Sequence, residues 1–217
     1  MAKRLGFTLA EVLVTMTIIG FLAILITTVV NNVTASTNIK SWRKVYSDLM
    51  NAQQRMIGEN GSVADSFDDI TSDAQGGINL QTGWLNYMSY TKTCAPGQSV
   101  NQKCWYPSIN YYDNSNTWPG QSNGFSVSAV LNNGMILLFY PGTTGDFTGM
   151  DPAQTSSDMY VFIDVNGLKA PNTFGKDVFC INYSPKKGKF VAYGEGYDVN
   201  CNVRGFNCSA YYLLNDQ

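Results

Sequence analysis

Histidine is absent from this chain of 217 residues, and only 14% of the residues are charged. The absence of histidine removes the most common general base and the most common metal ligand. The 16 acidic residues outnumber the 14 basic ones, so the sequence predicts no broad basic surface and no nucleic-acid partner. No Cys-x-x-Cys pair is present to hold a metal instead. We therefore expect no catalytic residues, no metal site and no cofactor.

Charge is also missing from a long stretch near the N-terminus. After Lys3, Arg4 and Glu11, no residue is charged until Lys40, and the residues between are predominantly apolar. This run exceeds the about 20 apolar residues that a helix needs to span a membrane. Proline, which would break such a helix, first occurs at Pro96. The basic residues before the run predict a cytoplasmic N-terminus, with most of the chain across the membrane.

Glu11 is the residue that a plain membrane anchor does not explain. A lone carboxylate costs roughly 2.5–3.5 kcal/mol at mid-bilayer depth, and the helix that contains Glu11 offers it no positive partner. A secretory signal does not fit either, because its cleavage site follows the apolar region, whereas the small residue Gly6 precedes it. Glu11 therefore needs a positive partner from outside its own helix.

The order Gly6-Phe7-Thr8-Leu9-Ala10-Glu11, followed by an apolar helix, resembles the N-terminal signature of type IV pilins and type II secretion pseudopilins. The resemblance implies that prepilin peptidase cleaves between Gly6 and Phe7 and methylates the new amino group of Phe7. It also implies that Glu11 pairs with the Phe7 amine of a neighbouring subunit during assembly. Removal of the leader would make the formal charge two units more negative than −2.

The same resemblance implies a structural subunit, a pseudopilin or minor pilin, of a type II secretion or type IV pilus-like filament. The implied partners are prepilin peptidase, other pilin or pseudopilin subunits in a homo- or hetero-filament, the inner-membrane assembly platform and the lipid bilayer. The protein would cross the inner membrane once, with an extracytoplasmic head, and then enter a periplasmic or cell-surface filament. The alternative is a surface adhesin or DNA-uptake minor pilin, whose head would carry an exposed aromatic or basic patch that binds a ligand.

Beyond the apolar run the helix is expected to continue as an amphipathic segment. Gly58, followed by Asn60-Gly61, indicates its end. We therefore expect a leader at residues 1–6, a transmembrane and amphipathic helix at 7–58, and an extracytoplasmic globular head at 59–217. Apolar residues that recur at helical spacing predict a stripe packed on the head: Ile39, Trp42, Val45 or Tyr46, Leu49 or Met50, and Met56 or Ile57.

Strand patterns dominate the second half of the head. Asn132-Asn133-Gly134 separates two apolar runs, which is a strong hairpin signal. A short helix is expected near residues 80–88, and the remainder of 62–124 resembles loop. The predicted fold class is α+β and pilin-like, with a long N-terminal α-helix packed on an antiparallel β-sheet head. Five strands are predicted, at residues 125–131, 135–140, 159–165, 178–183 and 190–193.

Five cysteines lie in the part of the chain predicted to cross the membrane, where disulfides persist. Local pairing of Cys94 with Cys104 and of Cys201 with Cys208 is the simplest interpretation. Cys180, inside an apolar run, would then be a buried free thiol. Pairing of Cys180 with Cys201 or Cys208 remains an alternative.

Residues 163–177 form a polar loop with two interpretations. Asp164, Asn166 and Asp177 carry oxygen atoms that could hold Ca²⁺, which the resemblance to pseudopilin heads makes relevant. An EF-hand-like loop, however, needs an acid and a closing glutamate where Phe162 and Thr173 stand. We favour a turn in which Asx side chains accept hydrogen bonds from backbone N–H groups.

Overall fold

The structure is a computed structural model that describes residues 8–67, 71, 73–118, 125–142, 159–196, 200–201 and 204–215. It divides into two units, residues 1–37 and 38–217. Helix α1 (Leu9–Asn60) belongs to both. It continues through Gly58, where the sequence suggested a stop, and ends where Gly61 takes a positive φ of 87°. The Gly61 N–H donates to the Ile57 carbonyl at 2.9 Å and closes the helix end.

In the first unit, α1 is long and apolar enough to span a membrane. Its large apolar side chains are exposed from Leu9 (82%) to Val33 (60%). The hydroxyls of five threonines donate to carbonyl oxygens three or four residues earlier in the helix, so they need no partner in lipid. These are Thr15, Thr17, Thr27, Thr34 and Thr37.

In the second unit, the rest of α1 lies on a β-sheet. The buried stripe consists of Trp42, Val45, Leu49, Ala52 and Met56, which confirms the predicted helical spacing. The Trp42 ring stacks on that of Phe179 at a centroid distance of 4.8 Å. Gln53, a polar residue that the stripe did not include, is also buried. Its Oε1 accepts from the Phe190 N–H at 2.6 Å, and its Nε2 donates to the Phe190 carbonyl at 3.4 Å.

A six-stranded antiparallel sheet forms the centre of the head, in the order β1-β4-β5-β6-β7-β8. The five expected strands are present. The expected hairpin turn at residues 132–134 joins the first two of them. Because β8 is an edge strand, the Gln53 amide takes the place of a further strand at Phe190. The strands are β1 (Tyr90–Cys94), β4 (Val127–Leu131), β5 (Ile136–Pro141), β6 (Met159–Asp164), β7 (Val178–Ser184) and β8 (Lys189–Ala192).

Both faces of the sheet are covered, and each has its own apolar core. On one face, α1, α2 (Ala74–Leu85) and α3 (Cys208–Leu214) cover side chains such as Leu137, Val161 and Phe179. On the other face, loops and a two-stranded ribbon of β2 (Ile109–Asn110) and β3 (Thr117–Trp118) cover an aromatic cluster. This long N-terminal helix with an antiparallel sheet is the expected α+β, pilin-like architecture.

Candidate functional site

The first candidate site lies at the start of α1. Thr8 precedes the first helical residue, and Glu11 lies in the first turn. The Glu11 Oε2 accepts hydrogen bonds from the Thr8 backbone N–H and from the Thr8 hydroxyl, each at 2.8 Å. The Glu11 N–H in turn donates to the Thr8 Oγ1 at 3.3 Å. Gly6 and Phe7, the predicted cleavage and methylation residues, lie outside the described residues.

This reciprocal pattern is a capping box, in which two residues satisfy N–H groups that a helix start leaves without intrahelical partners. The sequence Thr-x-x-Glu before an apolar run is its usual signal, and Thr8–Glu11 has this form, although no capping box was predicted there. Both hydrogen bonds to the Glu11 carboxylate end on Oε2. The other oxygen, Oε1, accepts none of the hydrogen bonds found among the described residues, so it is available to an incoming donor.

The second candidate site is the loop at residues 163–177, where Asp164, Asn166 and Asp177 come together. The Asp164 Oδ1 accepts from the Asn166 N–H at 2.9 Å, and its Oδ2 from the Tyr106 hydroxyl at 2.7 Å. The Asn166 Nδ2 donates to the Asp177 Oδ2 at 3.1 Å. Asp177 also accepts from the N–H groups of Asn172 (2.8 Å) and Thr173 (2.7 Å).

Burial dominates the electrostatics of this loop. It raises the pKa of Asp164 to about 8, and the nearby charge of Asp177 acts in the same direction. Burial also raises the pKa of Asp177, although the N–H groups of Thr173 and Asn172 oppose this effect. Burial and the charge of Asp164 raise the pKa of the Tyr106 hydroxyl.

The arrangement of the loop favours the turn over a calcium site. All four carboxylate oxygens of Asp164 and Asp177 already accept hydrogen bonds from the protein. Among the residues that the structure describes, no group of three or more His, Cys, Asp or Glu side chains is arranged to hold a metal ion. The two carboxylates therefore act as internal acceptors that hold the β6–β7 loop in place.

The structure joins Cys94 to Cys104 and Cys201 to Cys208. Cys180 is a buried free cysteine. Its side chain belongs to the aromatic cluster, whereas Cys208 belongs to the core on the helix-covered face. Cys201 and Cys208, the alternative partners of Cys180, are bonded to each other.

Comparison with known families gives a match at the N-terminus. Residues 1–27 match the family described as the prokaryotic N-terminal methylation motif. This motif is the signature of type IV pilins and pseudopilins, and it implies processing by prepilin peptidase and assembly with pilin subunits. No curated protein and no solved structure was found to match the chain. The N-terminal region therefore carries the type IV pilin and pseudopilin signature, and a head of pilin-like architecture follows it.

Proposed function

We propose that the protein is a non-catalytic structural subunit, a pseudopilin or minor pilin, of a type II secretion or type IV pilus-like filament. The observation that carries this proposal is the carboxylate of Glu11 at the start of an apolar helix. From Leu9 to Val33 the large apolar side chains of that helix are exposed. They require lipid or other apolar helices around them, and a filament core built from such helices supplies the latter.

Glu11 has a defined task in this proposal. Its Oε2 caps its own helix through Thr8, and its Oε1 would accept the methylated amine of Phe7 from a neighbouring subunit. An ammonium group beside a carboxylate in an apolar environment compensates part of the cost of burying either charge alone. The ion pair would therefore favour the docked subunit over a subunit left in lipid.

The head supports a structural role over a ligand-binding one. All four tryptophans are buried, with exposed fractions of 8% or less. Among the described residues of the head, the aromatic residue that is exposed is Tyr90, with an exposed fraction of 47%. A binding head would instead present several aromatic or basic side chains on one surface. The aromatic residues here fill the two cores.

The proposal is tested by following the full chain in a host with an active prepilin peptidase and assembly machinery. We expect the wild-type protein to be recovered in sheared filaments, and Glu11→Ala to remain in the membrane at wild-type levels. Absence of the wild-type protein from sheared filaments would refute the proposal, whereas incorporation of the Ala variant at the wild-type level would refute the role assigned to Glu11. Deletion of the gene then separates the two filament types: lost secretion of exported proteins indicates a pseudopilin, and lost surface fibres indicate a pilin.

A further inference from the structure

The register of the central sheet defines two ends of the head. Ile136 pairs with Val130 and with Asp164, and Asp164 pairs in turn with Val178. These four residues therefore lie together, and we call the end of the sheet that they mark the entry end. The β7–β8 turn at residues 185–188 lies at the opposite end, because β7 runs away from Val178 before it reaches that turn.

Helix α1 enters the head at the entry end. Trp42 stacks on Phe179, which is the second residue of β7 and lies next to that end. Further along α1, Gln53 accepts from the N–H of Phe190, which pairs with Tyr183 towards the opposite end. The chain therefore passes from the apolar segment of α1 into the head at the entry end.

The exposed large apolar side chains of the head are found at this same end. Among the residues that the structure describes, they are Tyr90 (47% exposed), Leu168 (47%) and Leu214 (61%). Tyr90 pairs with Leu131, the last residue of β4, and Leu168 lies in the loop that leaves β6 and returns to β7. Single exposed apolar residues are common on proteins, but their restriction to one end indicates an apolar partner there.

Leu214 is held at the entry end by Arg43. The Arg43 Nε donates to the Tyr212 carbonyl at 2.8 Å, and its Nη2 donates to the Asn215 carbonyl at 3.0 Å. These contacts satisfy carbonyl groups at the end of α3 that lack partners within the helix. Because helical side chains tilt towards the N-terminus of their helix, Arg43 reaches these carbonyls on the side of Lys40. The last turn of α3 therefore lies beside the first residues of α1 in the head.

Exposed lysines accompany these apolar side chains. Lys40 and Lys44 lie one helical turn apart on the same face of α1, and Lys169 directly follows Leu168. All three lysines are exposed. Apolar side chains that enter a bilayer surface, with ammonium groups that meet lipid phosphates, are typical of a surface that binds phospholipid.

The distance along the chain also points to a bilayer. Val33 is the last exposed large apolar side chain before the head, and the helix up to it is apolar enough to span a membrane. Lys40 follows seven residues later, which is no more than about 10 Å along a helix. With its long side chain, a lysine at this distance reaches the headgroup layer, which extends about 5–8 Å beyond the hydrocarbon.

We propose that the entry end of the head rests on the surface of the phospholipid bilayer. Tyr90, Leu168 and Leu214 lie among the headgroups, and Lys40 and Lys169 bind lipid phosphates. This inference rests on the part of the proposed function that places the apolar half of α1 in lipid. It concerns the subunit before it leaves the membrane, so incorporation into a filament requires that the contact be broken.

Lipid photo-crosslinking tests the contact on the full chain. The protein is reconstituted in vesicles of phosphatidylcholine and phosphatidylglycerol that contain a phospholipid with a diazirine beside the headgroup. After irradiation, a protease that does not cut at lysine releases peptides for mass spectrometry. We expect lipid adducts on the peptides that contain Leu168 and Leu214, and none on the turn at residues 185–188. Adducts confined to the apolar segment of α1, or equally frequent at both ends of the head, would overturn the proposal.

Charge reversal separates the lysines of the entry end from other lysines. Lys40→Glu combined with Lys169→Glu should lower the adduct yield on the Leu214 peptide several-fold, because anionic lipid repels the new carboxylates. The matched control, Lys186→Glu with Lys189→Glu, makes the same charge change at the opposite end and should give the wild-type yield. A wild-type yield for the first variant, or an equal loss in both, would contradict the docking.

The wild-type contact should also weaken as salt is added, because screening reduces the attraction between lysine and phosphate. These measurements need no assembly machinery, so their outcome is separate from that of the proposed function. The proposed function fails if the wild-type protein is absent from sheared filaments.

Discussion

Thr8 and Glu11 cap the start of α1 reciprocally. The Glu11 carboxylate accepts the Thr8 N–H and hydroxyl at 2.8 Å, and the Glu11 N–H donates to the Thr8 Oγ1 at 3.3 Å. N–H groups at a helix start are costly to leave unpaired, and no water satisfies them in an apolar environment. Glu11 therefore has a local role in helix capping besides the intersubunit role proposed for it.

Two substitutions separate these roles of Glu11. Glutamine also serves in a capping box, so Glu11→Gln should keep the helix start while removing the charge that would meet a neighbouring amine. Thr8→Val keeps the carboxylate and removes the hydroxyl that caps the helix. If the ion pair drives assembly, Glu11→Gln should lose incorporation into sheared filaments, and Thr8→Val should reduce it only partly.

The opposite ranking would assign Glu11 to capping alone. In that case Glu11→Gln would assemble normally, and Thr8→Val would be the more defective variant. Thr8→Ser is the matched control, because serine retains the capping hydroxyl. It should assemble as the wild type does under either outcome.

Processing at Gly6–Phe7 is a second prediction. Glycine has no side chain, so it fits an extended chain closely into a peptidase site. Gly6→Leu should therefore leave residues 1–6 attached, whereas Ala2→Leu, which lies within the leader but away from the bond, should be processed. Intact mass of the purified chains distinguishes the two results. A native protein that keeps its leader in cells with active prepilin peptidase would contradict the prediction.

The strands predicted from sequence are those that lie inside the sheet or carry strong apolar runs. β1 (Tyr90–Cys94) was missed because its first four residues are exposed, so it shows no apolar alternation. Helix α2 begins earlier than expected because Asp73 caps it, and it contains Gly76-Gly77, which suggested a loop. A Cβ at Gly77 would lie 2.1 Å from the Phe125 carbonyl oxygen, so these glycines serve close packing.

The candidate sites were predictable only where their signals are local. Thr8–Glu11 is a short-range motif, and Asp164, Asn166 and Asp177 fall within one loop. Tyr106, whose hydroxyl donates to Asp164, is 58 residues away in sequence, and the distance between them depends on the packed loops. Gln53 was not part of the predicted stripe, because the open edge of β8 gives this polar side chain a partner only in the folded head.

The two disulfides provide a third prediction. Each closes a short loop, with sequence separations of 10 and 7, and should stabilise the head by about 2–3 kcal/mol. Cys94→Ala with Cys104→Ala should lower the free energy of unfolding by about that amount. Tryptophan fluorescence during chemical denaturation is a suitable probe, because all four tryptophans lie in the second unit. Peptide mapping without reduction checks the pairing, and a Cys180-linked peptide would contradict it.

The fourth prediction concerns Asp164 and pH. Burial raises its pKa to about 8 in the folded head, whereas an aspartate in an unfolded chain titrates near a pKa of about 4. Between about pH 4 and about pH 8, Asp164 therefore holds a proton in the folded protein and has released it in the unfolded chain. The free energy of unfolding should therefore fall as pH rises from about 4 to about 8, and level off above that.

Asp164→Asn removes this titration and should flatten the pH profile. Asparagine resembles the protonated acid in size and keeps an oxygen that accepts the Tyr106 hydroxyl. Part of the slope should remain, because burial also raises the pKa of Asp177. The control is Asp113→Asn: hydrogen bonds from Ser115 lower the pKa of this exposed acid, so it contributes stability that is lost on acidification. Denaturation curves at several pH values give the free energies of unfolding of the wild type and of the two variants. If the free energy of unfolding of Asp164→Asn falls with pH as steeply as that of the wild type, Asp164 is ionised in the folded head.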